Sequence, residues 1–203
     1  MSKIDFPIDV VIPWVNQDDP AWLAKFNSYS CLKKKETQTE DERYRDYGTL
    51  KFVLRSIEKY TPWVRNIFLV TDNQVPDWLD EFNSNVKVID HTEIIPREFL
   101  PLFNSSVIEW HVVNINGLSE HFIYLNDDMI FVDKTEPEDF FDENGRIKDT
   151  LGLNVIMPIE DFEHIHVNNI KVINRTFKKK KTIIANFFRL FNVKTVIGIC
   201  FHY

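Results

Sequence analysis

The chain has only two cysteines in 203 residues, Cys31 and Cys200, at opposite ends. They supply neither a disulfide framework nor the paired spacing of a zinc site, and they fit a reducing compartment. No apolar run reaches the length needed to span a bilayer, and residues 1–13 lack the basic start and apolar core of an export signal. Neither secretion nor a transmembrane helix is supported, so a cytoplasmic chain is expected. Positive charge is also short: 24 Lys and Arg stand against 31 Asp and Glu, for a formal net charge of −7. Nucleic acid is therefore not an expected partner, because phosphate backbones bind a basic field that this chain lacks overall. An anionic ligand would need local cations. There is no internal repeat.

What is present is 44% hydrophobic residues, enough for one sizeable core, with 17 Phe in apolar periodic segments that read as packing. Short runs of Val, Ile and Phe alternate with helix-like stretches. That pattern predicts an α/β fold, a Rossmann-like (glycosyltransferase-A-like) and mainly parallel sheet flanked by helices. Strands are expected at 8–12, 67–70, 86–89 and 122–125. The first stops at Pro13, and a helix carrying Trp22, Leu23 and Phe26 follows. Leu50, Val53, Leu54, Ile57 and Tyr60 recur at helical spacing up to Pro62, and further helical patterns surround 97–100 and 104–110. Residues 31–46 are almost all polar and read as a long loop of the kind that covers active sites. One domain over 1–203 is expected, with a core at 1–133 and a less regular 134–203. The latter holds a possible strand at 151–157 and a basic amphipathic helix near 178–191. That helix opens on four lysines, with Ile184, Phe187, Phe188 and Phe191 as its stripe. Such a helix either touches an anionic membrane surface or packs on the core with its lysines in water.

Ligands of open α/β sheets bind beyond the carboxyl ends of the strands. Here those ends carry Trp14 and Asn16, then Asp72, then Asp90 and His91, then Asn126, Asp127 and Asp128. Two adjacent carboxylates beside an amide offer the hard oxygens that Mg²⁺ or Mn²⁺ prefers when it keeps positions for substrate phosphates. The alternative is a turn with solvated carboxylates. Arg43 and Arg45, next to Asp46 at the end of the polar loop, could grip a diphosphate or form surface ion pairs. Arg55 could reach the same crevice or pair along its helix. Asn104, Ser105 and Glu109 place an amide and a hydroxyl one helical turn from a carboxylate, which suits sugar hydroxyls or general-base work, or else a helix cap. His164 and His166 would share a face on a strand and could bind a metal, although no third ligand is evident.

Ile12-Pro13-Trp14-Val15-Asn16 with Asp19-Pro20, followed by Arg43-Tyr44-Arg45-Asp46-Tyr47-Gly48, resembles the opening motifs of the Stealth proteins. The likeness continues through residues 54–60, Pro62-Trp63-Val64-Arg65, Val70-Thr71-Asp72 with Gln74-Val75-Pro76, and Phe103-Asn104-Ser105 with Ile108-Glu109. It ends at Gly117-Leu118-Ser119-Glu120 and residues 122–129. Ordered motifs over two thirds of a chain are far more specific than any one of them. Stealth proteins include bacterial capsular and exopolysaccharide phosphotransferases and the animal enzyme that adds N-acetylglucosamine phosphate to lysosomal glycoproteins. The overall likeness is to the streptococcal receptor-polysaccharide type.

The resemblance implies hexose-1-phosphate transfer from a nucleotide sugar to a lipid-linked or polymeric saccharide. The base would lie near Trp14 and Asn16, and the diphosphate on a divalent ion at Asp127 and Asp128. Arg43 or Arg45 would neutralise charge, and Asp46 or Glu109 would act as base. Two departures stand out. Ser106 replaces the His of many relatives, and the family's later segments, including a His-x-Pro element, have no counterpart before Tyr203. A C-terminally truncated copy is therefore expected. The rival readings are an ordinary glycosyltransferase with the same metal clamp and an inactive remnant that only binds a nucleotide sugar or a partner.

Overall fold

The computed structural model describes residues 4–30, 44, 46–81, 85–148, 159, 164–177 and 184. Four strands form one parallel sheet: β1 (Ile8–Pro13), β2 (Val64–Thr71), β3 (Val86–Asp90) and β4 (His121–Tyr124), in the order β3-β2-β1-β4. The four strands expected at 8–12, 67–70, 86–89 and 122–125 are there. β2 begins at Val64, three residues before its apolar run, and Leu125 lies just past β4, its N–H bonded to Val11 O at 3.0 Å. The central strands β1 and β2 are continuous apolar runs because helices cover both faces of a parallel sheet.

Successive residues of β1 feed opposite faces. On one face Val10 and Ile12, with Ile67 and Leu69 of β2, pack against Leu50, Val53, Leu54 and Ile57 of helix α2 (Leu50–Tyr60); helix α1 (Pro20–Ser30) precedes it in the chain. On the other, Val11, Phe68 and Val70 meet Ile94 of helix α3 (His91–Ile94), Ile108 of helix α4 (Ser105–His111) and Val112. The result is three layers, helix on sheet on helix. Each fully buried Leu, Ile or Val contributes about 1.5–3 kcal/mol. The helices stop for local reasons. Past α2, the N–H and hydroxyl of Thr61 both bond to Ile57 O, at 2.9 and 2.8 Å, and Pro62 follows. α1 starts on Pro20, capped by Asp19 Oδ1, which accepts from the N–H groups of Ala21 and Trp22 at 2.8 and 3.2 Å.

The chain divides into two compact units, Met1–Lys148 and Asp149–Tyr203. Within the second, helix α5 (His164–Thr176) buries none of its residues. His164 and His166 therefore sit on a helix, not a strand. Residues two apart on a helix point about 200° from one another, so the shared face that metal binding required is lost. The expected strand at 151–157 and the Phe stripe near 178–191 lie outside the described residues. No described helix is long and apolar enough to cross a membrane.

Candidate active site

From β1 the sheet grows in both directions, toward β2 on one side and β4 on the other. Such a switch of strand order leaves a crevice beyond the carboxyl ends of β1 and β4. The loop after β1 opens with Trp14, whose N–H bonds Val70 O at 2.9 Å. The loop after β4 is a tight turn closed by Met129 N–H on Asn126 O at 3.1 Å. That turn leaves Asn126 and Asp128 exposed and Asp127 half-buried. The turn and the paired carboxylates are thus one feature.

The crevice is electrically negative. Burial pushes the Asp127 carboxyl above the usual range, and the charges of Asp128 and Asp46 push it further. Tyr124, at the end of β4, is pushed up to about 12 by burial and by Glu109 and Asp127. Asp128 and Asp46 thus act on Asp127, and Glu109 and Asp127 act on Tyr124, a negative potential that a divalent cation would relieve. Among the described residues no three His, Cys, Asp or Glu side chains close into a cage. Asp127 and Asp128 would hold an ion by two carboxylates and leave its other positions to phosphate oxygens and water, which is how Mg²⁺ is usually bound.

Asp46 is fixed by two donors. Its Oδ2 accepts from Trp14 Nε1 at 3.3 Å and its Oδ1 from Gly48 N–H at 2.7 Å. Trp14 is only 7% exposed and its ring belongs to the α2-side core, so it presents its N–H edge rather than its face. Asn16 is held through its main chain by Gln74, while its side-chain oxygen accepts from Asp18 N–H at 2.9 Å. Nearby, Tyr44 donates its hydroxyl to Phe103 O at 2.8 Å and packs with Trp22 and Phe26. This cluster holds Tyr44; Arg43 and Arg45 lie outside the described residues.

Asp72 pairs with Lys25 of α1 at 2.6 Å through Oδ1. Its Oδ2 is one of three buried polar atoms left without a hydrogen-bond partner among the described residues; the others are Thr71 Oγ1 and His91 Nδ1. All three sit at the carboxyl ends of β2 and β3. Burial lowers the His91 pKa against the pull of Asp72 and Asp90, which keeps the ring neutral. Asp90 itself caps α3 and accepts from Thr92 and Asn73.

On the other flank, Asn104 caps α4 by accepting from Ser106 and Val107 N–H at 3.0 and 3.4 Å, and Ser105 and Glu109 are exposed. Glu109 reaches the crevice through its charge on Tyr124. Arg55 is exposed on α2, away from that helix's buried stripe. Gln74, Tyr44 and Tyr124 stand in the sequence only as members of the family motifs, with no role assigned to them. Apart from that likeness Gln74 gives no signal, since a single amide in a polar turn has no periodicity.

Two family models match the chain. One, described as Stealth protein CR2, conserved region 2, covers residues 43–149; the other, Stealth protein CR1, conserved region 1, covers residues 6–33. An exopolysaccharide phosphotransferase of Lactiplantibacillus plantarum is 47% identical over 199 residues, 96% of this chain and 58% of its own length. A capsular polysaccharide phosphotransferase of Streptococcus thermophilus is 38% identical over 189 residues, covering 92% of this chain and 79% of its own. A receptor polysaccharide phosphotransferase of Streptococcus oralis is 39% identical over 186 residues, covering 90% and 55%. The chain thus spans little more than half the length of the first and third of these relatives.

Proposed function

The chain belongs to the Stealth family, and on that premise we propose that it moves a hexose 1-phosphate from a nucleotide sugar to a sugar hydroxyl in capsular or exopolysaccharide synthesis. The observation that carries the reading is the Asp127 and Asp128 pair at the β1/β4 switch, with the Asp127 carboxyl pushed up by burial and then by Asp128 and Asp46. A bound Mg²⁺ or Mn²⁺ would supply charge neutralisation at the donor diphosphate. Asp127 and Asp128 are its proposed ligands, with Asn126 beside them. Asn16 and Asp72 flank the nucleotide, Trp14 acts there through its bond to Asp46, Arg43, Arg45 and Arg55 are the proposed phosphate-side cations, and Asn104 and Ser105 lie toward the sugars.

The acceptor hydroxyl attacks the sugar-linked phosphorus. The new P–O bond forms as the diphosphate bridge breaks, and nucleoside monophosphate leaves. The hydroxyl proton passes to a carboxylate. Asp46, pinned by Trp14 and Gly48 and close enough for its charge to act on Asp127, is better placed than Glu109 on the exposed side of α4. A lipid-linked or polymeric saccharide acceptor accompanies this reading, as does a cytoplasmic location at the inner membrane face.

The leaving nucleotide tests it. Incubation with UDP-N-acetylglucosamine and other nucleotide sugars, magnesium and a lipid-linked acceptor should release nucleoside monophosphate. Release of the diphosphate would replace the reading with glycosyl transfer, and nucleotide binding without release of either would leave a binding protein.

A further inference from the structure

Gln74 lies in the loop after β2, is 5% exposed, and spends its whole amide on the loop after β1. Its Oε1 accepts from Asn16 N–H at 3.0 Å, and its Nε2 donates to Asn16 O at 2.8 Å and to Asp19 Oδ2 at 3.2 Å. A side-chain amide that pairs with both main-chain groups of one residue imitates the peptide of a neighbouring strand. It continues the β1–β2 pairing beyond its last main-chain rung, Trp14 N–H to Val70 O. The other oxygen of Asp19 caps α1. One buried side chain therefore governs the path of the chain from the end of β1 to the start of α1.

We propose that Gln74 is a positioning residue for the nucleotide-contacting segment around Asn16. The inference rests on the phosphotransferase reading for what the segment binds, and on geometry alone for the clamp. Only a neutral amide fits. A carboxylate would turn an acceptor toward both Asn16 O and the Asp19 carboxylate, and an aliphatic side chain would leave the Asn16 main chain unpaired. The cost falls on donor binding, since Asn16 is a proposed donor contact and is hydrogen-bonded to Gln74 and Asp18.

The test uses the full chain as wild type, Gln74→Leu, Gln74→Glu and Gln74→Glu with Asp19→Asn. The last pair returns a donor to the introduced carboxylate and keeps an oxygen for the α1 cap. Both single variants should raise the KM for the nucleotide sugar about tenfold with kcat within about threefold, and the double variant should recover only part of the loss of Gln74→Glu, because the Asn16 carbonyl still faces the introduced carboxylate. A donor KM within about twofold of wild type in both singles, whatever their melting midpoints, would reduce Gln74 to a stabilising residue and overturn the proposal. Amide hydrogen exchange at Asn16 without nucleotide decides the clamp even for a wild type that transfers no phosphate. Faster exchange in Gln74→Leu upholds it and an unchanged rate overturns it, so failure here is separable from failure of the functional reading.

Discussion

Arg65 grips Asp9 with two parallel hydrogen bonds, Nε to Oδ1 at 2.9 Å and Nη2 to Oδ2 at 2.6 Å, at the opposite end of the sheet from the acidic crevice. Asp9 is fully buried and also accepts from Asn66 N–H, Asn66 Nδ2 and Ser119 N–H, at 3.1, 3.2 and 2.7 Å. The β1–β2 register slips between Ile8 and Val10, where this carboxylate takes the Asn66 N–H. One side chain thus ties β1, β2 and the approach to β4.

Removing that carboxylate should unfasten three elements at once. Asp9→Ala is expected to cost about 3 kcal/mol, chiefly from the Asn66 and Ser119 groups left unpaired, because Arg65 is half-exposed and recovers water. Urea unfolding measures it; a midpoint equal to wild type would show that the network is ornamental to stability.

The same residue sets an acid dependence. Burial raises the Asp9 pKa, but the bonds from Arg65, Ser119 and Asn66 outweigh it and hold the carboxyl below the usual range. Its contribution is present above the unfolded value of about 3.9 and is lost as pH falls through the folded one. The stability gap between wild type and Asp9→Ala should therefore be constant from pH 7 to about 5 and narrow below about pH 4. A gap independent of pH down to full protonation would contradict this.

Asp127 carries the opposite sign. Its raised pKa means that ionisation costs folding free energy above the unfolded value. Without divalent ions at pH 7, Asp127→Asn should melt higher than wild type, and the advantage should vanish as pH falls below about 4. Added magnesium should raise the wild-type midpoint but not the variant's, and transfer by the variant should fall at least about a hundredfold. Equal magnesium shifts in both proteins would remove Asp127 from the metal site.

Trp14→Phe keeps an aromatic ring in the core and deletes only the Nε1 donor to Asp46. Some stability should go, about 1–2 kcal/mol for the lost bond and smaller ring. Steady-state kinetics should show kcat down about tenfold and donor KM nearly unchanged, since the indole acts through Asp46. A raised KM with intact kcat would instead mark Trp14 as a nucleotide contact.

The elements of the first unit were legible because their signals are local. Apolar runs in 8–12 and 67–70 and the 3.6-residue spacing in 50–60 each report burial of a segment by itself. The His164 and His166 reading failed for the same reason in reverse: alternation over three residues is too short to separate strand from helix, and the segment is helical.

The sequence by itself determined that polar residues stand at the end of every strand, and that Asp127 and Asp128 are among them, because a strand and its end are written in adjacent residues. Only the tertiary structure decided which ends adjoin and what each side chain does there. Strand order set β4 beside β1, the core took the Trp14 ring and left its N–H to Asp46, and Gln74 met Asn16 across 58 residues. Those outcomes depend on long-range pairing and on competition for buried space, and both become defined only when the chain closes on itself.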